Sequence, residues 1–190
     1  MIARLFLSAL LLAFAPPALA QTAVRDCSRT EPSRERTLCH EVVVNAPSAE
    51  VWRLWTSDEG LRSWLAPVAA IDLRPGGAFE TSYNSAAQIG DAANIRNRVI
   101  AFTSERLLVI QVAQAPPGFP HADEVRELTT LIEFEPIDAN TTRVRGSMLG
   151  YRAGEAFDDL YAFFQRGNAY TFAMLQERVA SGPVNWSEQR

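Results

Sequence analysis

The chain has 190 residues, a formal charge of −4, 47% apolar residues and 21% charged residues, a balance that fits a globular domain able to bury its own core and excludes disordered, collagenous and disulfide-dense chains. Its 18 basic residues are all arginine, which removes Schiff-base, P-loop and general-base lysine chemistry. A mildly acidic chain without a basic run is also a poor nucleic-acid binder.

Arg4 precedes the apolar run Leu5–Ala15, Pro16-Pro17 breaks that run, and Ala18-Leu19-Ala20 follows. This is the layout of a secretory signal peptide over residues 1–20, with an A-x-A cleavage site. The run is too short to span a hydrocarbon core, and no Cys directly follows the cleavage site to carry a lipid, so no stable membrane anchor is expected. The chain reads as exported, periplasmic or secreted. Both cysteines, Cys27 and Cys39, lie beyond the cleavage site. In an exported chain two cysteines suggest one disulfide, worth about 3 kcal/mol for a loop of this length. The alternative is a Cys39–His40 nucleophile. It is disfavoured because neighbours on a strand point to opposite faces.

Residues 21–37 are polar and aperiodic and read as an arm. Leu38–Asn45 is β-rich and reads as the first strand. Ser48 is placed to cap a short helix over Ala49–Trp55, and Asp58 to cap a second one carrying Leu61, Trp64 and Leu65. Strands are then predicted at Val68–Leu73, Ala78–Asn84, Ile95–Phe102, Arg106–Ala113, Val125–Phe134 and Thr141–Tyr151. Turn residues divide them, including Pro75-Gly76-Gly77 and the proline-rich stretch Gln114–Asp123. That gives about seven strands in an antiparallel sheet. Gly154 to Ala180 has helical spacing and would form a helix of about 39 Å. Ser181-Gly182-Pro183 ends it.

The run PSAEVWRLWTSDEGLRSWLAP, the turn IDLRPGGAFE, the strand RLLVI, the Thr130–Pro136 pattern T-x-x-x-F-E-P and the long last helix occur in that order. Together they resemble the SRPBCC superfamily of START-like, helix-grip proteins. The branch they are most similar to is homologous to the C-terminal domain of the heat-shock-protein-90 ATPase activator. The resemblance spans about Leu38–Ala180. It implies an α+β fold: a curved antiparallel sheet around a long C-terminal helix, with two short helices after strand one and an apolar cavity between sheet and helix. The domain would occupy 38–181, with a tail at 182–190. Members of that superfamily bind hydrophobic small molecules, act as cyclases or hydrolases, or bind proteins. Export and the Cys-bearing arm set this chain apart from a cytosolic chaperone partner.

No catalytic constellation is legible. His40 and His121 are far apart in sequence, and His121 lies in a loop beside Asp123 and Glu124, without the clustered third ligand that a metal site wants. No G-x-S-x-G elbow is present, and Gly76-Gly77 reads as a turn rather than a phosphate loop. Asp158-Asp159 suits the first turn of the last helix, and Glu133 and Glu135 should face water opposite Ile132 and Phe134. No metal and no cofactor are expected. The candidate cavity lining is Trp64, Phe79, Tyr83, Val109, Gln111, Thr130, Ile132, Tyr161, Phe164, Asn168 and Phe172. Asn168 should bond Tyr83, Gln111, Thr130, a ligand or water, because a buried amide needs a partner. The expected function is an exported binding protein for a small hydrophobic molecule. The alternatives are an enzyme in the same cavity or a ligand-free protein-interaction module. Protein recovered from outside the cytoplasm is expected to start at Gln21. N-terminal sequencing that finds Met1 there would remove the leader.

Overall fold

The computed structural model describes residues 23–188 except residue 34. The expected cleavage segment lies outside the described residues. Strands β1 (Arg25–Asp26), β2 (Arg29–Thr30) and β3 (Arg36–Val44) come first, followed by helices α1 (Ser48–Thr56) and α2 (Asp58–Arg62). Then come β4 (Val68–Ile71), β5 (Ala78–Ser82), β6 (Ile95–Thr103), β7 (Leu107–Gln114), a 3-10 turn (Glu124–Glu127), β8 (Thr129–Asp138), β9 (Thr141–Tyr151) and helix α3 (Glu155–Ser181). The nine strands form one antiparallel sheet in the order β1-β3-β9-β8-β7-β6-β5-β4, with β2 also pairing β3.

The sheet is larger than the sequence implied because the arm is not a loose lead-in. Arg25 and Asp26 pair with Glu41 and His40, and Arg29 and Thr30 pair with Thr37 and Arg36. Strands of two residues carry no hydrophobic alternation, so no pattern announces them. The Cys27–Cys39 disulfide fixes this arm to β3, as the cysteine pair suggested. Helix α3 adds two ties: Gln165 Nε2 donates to Asp26 Oδ2 at 3.3 Å, and Asp158 pairs with Arg36 at 2.8 Å.

The capping expectations are corrected. Ser48 is already helical, with Pro47 at the cap position and no side-chain cap bond. Ser57 caps α2 instead, its Oγ accepting from Gly60 N at 3.0 Å. That leaves Asp58 free to accept from Ile71 N on β4 at 2.8 Å, while Arg62 Nη1 donates to Ala69 O at 3.1 Å. The predicted strand at Val125 begins later, because Glu124–Glu127 form the 3-10 turn and leave Thr129 as the first strand residue.

Period-two alternation decides which side of the sheet is apolar. Leu108 and Ile110 of β7, Ile132 and Phe134 of β8, and Val144 and Met148 of β9 are buried on the concave side. Two apolar clusters fill that side. The first gathers Trp52, Trp55, Trp64, Phe79, Phe172 and Leu175 with the aliphatic residues of the central strands. The second holds Leu38, Val125, Leu128, Met148, Tyr151, Phe157 and Leu160. Helix α3 packs chiefly on β3 and β9 and reaches both clusters.

Gly146 permits the closest of these contacts. A Cβ there would lie 2.7 Å from Phe172 Cζ, closer than real atoms approach. Gly146→Val is therefore expected to lose about 1–3 kcal/mol by overpacking, read by chemical denaturation, with Phe172→Leu in the same chain restoring part of it. A neutral Gly146→Val would show that α3 does not press on β9 there.

Candidate functional site

The site is built by a helix anchored at its ends and not in its middle. Phe157 and Leu160 are buried at one end of α3, and Phe172 and Leu175 at the other. No α3 residue between Leu160 and Phe172 is fully buried; Tyr161, Phe164, Gly167, Asn168 and Thr171 are half-buried. Under this span Thr130 of β8 lies in register between Ile110 of β7 and Met148 of β9. Asn168 faces the sheet, its Nδ2 3.7 Å from Met148 Sδ. The amide thus meets a thioether, a weak acceptor, and not the expected Tyr83, Gln111 or Thr130.

At the Phe172 end, α3, the segments after α2 and β5, and the tail leave a small pocket of about 80 Å³. Trp64 and Leu65 after α2, Tyr83 after β5, Tyr170, Thr171 and Met174 of α3, and Trp186 of the tail line it. Tyr83 and Tyr170 are 64% and 63% exposed and stand at its mouth. At the other end the β7–β8 connection comes down on α3. The Phe119 ring meets Phe163 and Phe164 at 5.4 and 6.5 Å between centroids, and His121 Nε2 sits 3.0 Å from Asp159 Oδ2. His121 adopts a positive φ of 55°, uncommon for a side-chain-bearing residue.

The candidate residues divide into three groups. Trp64, Phe79, Ile132 and Phe172 are buried members of the first cluster; Trp64 is the one among them that also borders the pocket. Tyr83, Thr130, Tyr161, Phe164 and Asn168 are on or beside the half-open span. Val109 and Gln111 are corrected, because they alternate with the buried Leu108 and Ile110 and so lie on the opposite, convex side of β7. The apolar run Leu107–Ile110 gives no alternation from which to read its phase. Sequence reasoning also missed Met148, Phe119, Phe163, Tyr170, Met174 and Trp186. Phe163 and Tyr170 are seven residues apart and lie on the same side of a helix, a signal that was there to be used. Trp186 follows the helix stop and carries no periodic signal.

A larger depression, about 270 Å³, lies on the convex face and is lined by Arg106, Glu133, Phe134, Glu135, Arg143 and Arg145. Two of its arginines are paired: Arg143 with Glu135 at 2.7 Å, and Arg145 with Glu41 on the adjoining strand β3 at 3.2 Å. Burial alone would raise the Glu41 carboxyl, but hydrogen bonds from Arg25 and Arg145 outweigh it and hold the group below the usual carboxylate range. Among the described residues no group of three or more His, Cys, Asp or Glu side chains is arranged to hold a metal ion. No helix of the described residues is long and apolar enough to cross a membrane.

His40 is buried on the same side of β3 as Leu38 and Val42, opposite Asp26 and Gly146. Its Nδ1 has no hydrogen-bond partner among the described residues. Burial pushes its pKa below the ordinary 6.5, with the Asp26 charge opposing. The unfolded chain then binds more protons than the folded one as pH falls below about 6.5, so His40 costs stability progressively down through its depressed folded pKa. His40→Gln is expected to flatten the fall in melting temperature between pH 7 and pH 5. An unchanged slope would mean that His40 keeps its ordinary titration.

Residues 45–180 match the family model described as activator of Hsp90 ATPase homolog 1-like protein. A comparison with curated proteins gives no match. Among solved structures, the chain is similar to the Aha1 dimer from Colwellia psychrerythraea, with a TM-score of 0.61 and 16% identity over 77% of this chain and 97% of that one. CalU16 from Micromonospora echinospora gives 0.59 and 17% over 89% and 91%. Protein NE0264 from Nitrosomonas europaea gives 0.55 and 22% over 76% and 94%. At these identities the structures establish a shared fold. The family-model match covers most of the chain and carries the assignment: this protein belongs to the Hsp90 ATPase activator homolog 1-like family within the SRPBCC superfamily.

Proposed function

We propose that the protein binds a small, predominantly apolar molecule between the middle of α3 and the concave face of the sheet, and does so after export. The observation that carries this reading is the uneven burial of α3. Both ends are locked into core, yet a span of the helix with Phe164, Asn168 and Thr171 is left half-buried over Thr130 and Met148. A helix serving only to fill a core would bury its inner stripe throughout. A half-covered apolar span with a few polar groups is the composition of a small-molecule site. The fold family agrees with this, since helix-grip domains commonly hold hydrophobic ligands at this place. The Cys27–Cys39 disulfide is compatible with export into an oxidising compartment.

A ligand-free protein-interaction module is the second reading, and one observation favours it. The pocket at the end of the span holds about 80 Å³, well below the ~300 Å³ of an ordinary ligand cavity. The two readings separate in one titration. The neutral fluorophore N-phenyl-1-naphthylamine is expected to bind the oxidised protein saturably at a one-to-one ratio. Asn168→Leu should tighten that binding by about threefold to tenfold, since it removes a polar group from an apolar wall. Its melting temperature should hardly move, because the amide's partner is a weak sulfur acceptor. Absence of saturable binding by the wild-type chain would overturn the ligand reading in favour of the interaction module.

A further inference from the structure

The residues that follow α3 do not trail away. Gly182, at φ 92°, reverses the chain and donates its N–H to Arg178 O at 3.0 Å. Glycine takes this left-handed conformation without the penalty a Cβ would bring. The tail then returns over the end of α2 and is fastened to it. Val184 N donates to Ser63 O at 2.8 Å, and Trp186 Nε1 donates to Arg62 O at 2.6 Å. Arg178 Nε donates to Ser63 Oγ at 2.8 Å, so helix and tail grip the same residue. Asn185 folds the tip, its Oδ1 accepting from Ser187 N and Oγ and its Nδ2 donating to Glu188. The tail itself, from Gly182 on, lies beyond the residues 45–180 that match the family. It brings one large ring, Trp186, into the wall of the pocket bounded by Trp64, Tyr83 and Tyr170.

We infer that the C-terminal tail is a strap whose Trp186 limits the depth of the ligand site and selects ligands that end in a single ring or a short branched alkyl group. This deepens the reading given under the proposed function and rests on it. A dry cavity of about 150 Å³ encloses a benzene, whereas about 80 Å³ is present here. One ring enters edge first, with its outer part still against Tyr83 and Tyr170, and a fused pair of rings collides with the indole. The wall around that ring is aromatic on three sides, which suits a flat group by offset or edge-to-face contact. The strap is held less firmly than the Trp64 wall. Trp64 is completely buried and bonded through Nε1 to Leu54 O. Trp186 is half-buried, on a tail held to the end of α2 by two hydrogen bonds and by Val184 packing on the first cluster. Changing Trp186 should therefore alter the site without disturbing the core beneath it.

The test compares p-cresol with 2-naphthol, two neutral phenols differing by one fused ring, by isothermal titration calorimetry on the oxidised full-length protein. The wild-type chain is expected to prefer p-cresol. Trp186→Gly should shift the ratio of the two affinities by about tenfold toward 2-naphthol, the size of effect a pocket wall exerts on one hydrocarbon increment. Trp186→Phe keeps an aromatic wall and should retain most of the wild-type preference, which guards against a folding defect in the glycine variant. Equal selectivity in all three proteins, with N-phenyl-1-naphthylamine still bound by the wild-type chain, overturns the strap and leaves the ligand site standing. No binding of any of the three compounds by any of the proteins overturns both.

Discussion

The closeness of α3 to β9, set by Phe172 lying where a side chain on Gly146 would be, is the constraint from which the rest of the molecule follows. A helix of this length cannot touch every strand of a nine-stranded sheet. By committing to β3 and β9 it leaves the concave side of β5, β6 and β7 to be covered by other means. The Phe172 end is covered by α1, α2 and the turn after α2, whose Trp52, Trp55 and Trp64 fill the space with three indoles. Trp55 and Trp64 meet edge to face at 4.9 Å, and Trp52 meets Phe134 at 5.3 Å. The Phe157 end is covered by the 3-10 turn, which brings Val125 and Leu128 onto Met148 and Tyr151. The half-open span between the two is what remains when a straight helix is pinned twice against a curved sheet.

The convex side obeys a different physics. With no lysine in the chain, its buried carboxylates are met by guanidinium groups or by amides. Glu41 takes Arg25 and Arg145. Glu80, also buried, accepts from Asn94 Nδ2 and Gly90 N at 2.7 Å and from Arg96 Nε at 3.1 Å. Its partners all belong to the β5–β6 connection or to β6, so one carboxylate organises a loop that has little apolar content of its own. A guanidinium suits this task because its planar fork offers several donors at fixed angles.

Elements whose period survives along the chain were legible: α1, most strands of the sheet and the whole of α3 were read near their true bounds. The order of motifs pointed to the fold family because that order reflects the chain's path. What escaped had a local physical reason. The two-residue strands β1 and β2 exist only because β3 and a disulfide hold them. The 3-10 turn was absorbed into a strand because Val125 and Leu128 are apolar in either setting. Val109 and Gln111 went to the wrong side because a run of four aliphatic residues has no readable phase. Of the site, the half-buried positions on α3 were found from their helical spacing. Met148, Phe119 and Trp186 were not, since each arrives from a separate element and only the tertiary fold brings it near.

The arm and α2 together decide how this sheet can meet another molecule. At one border β1 and β2 occupy the free side of β3 and a covalent bond keeps them there. At the other, the outward N–H of Ile71 and C=O of Ala69 on β4 are taken by Asp58 and Arg62. Unsatisfied border groups are what allow sheets to extend from one chain into the next. Here the arm covers the border of β3 and α2 takes two of the border groups of β4, so the long strands offer little free border for growth. A molecule that meets this protein therefore finds faces, loops and helices more readily than a long open strand while the arm stays in place.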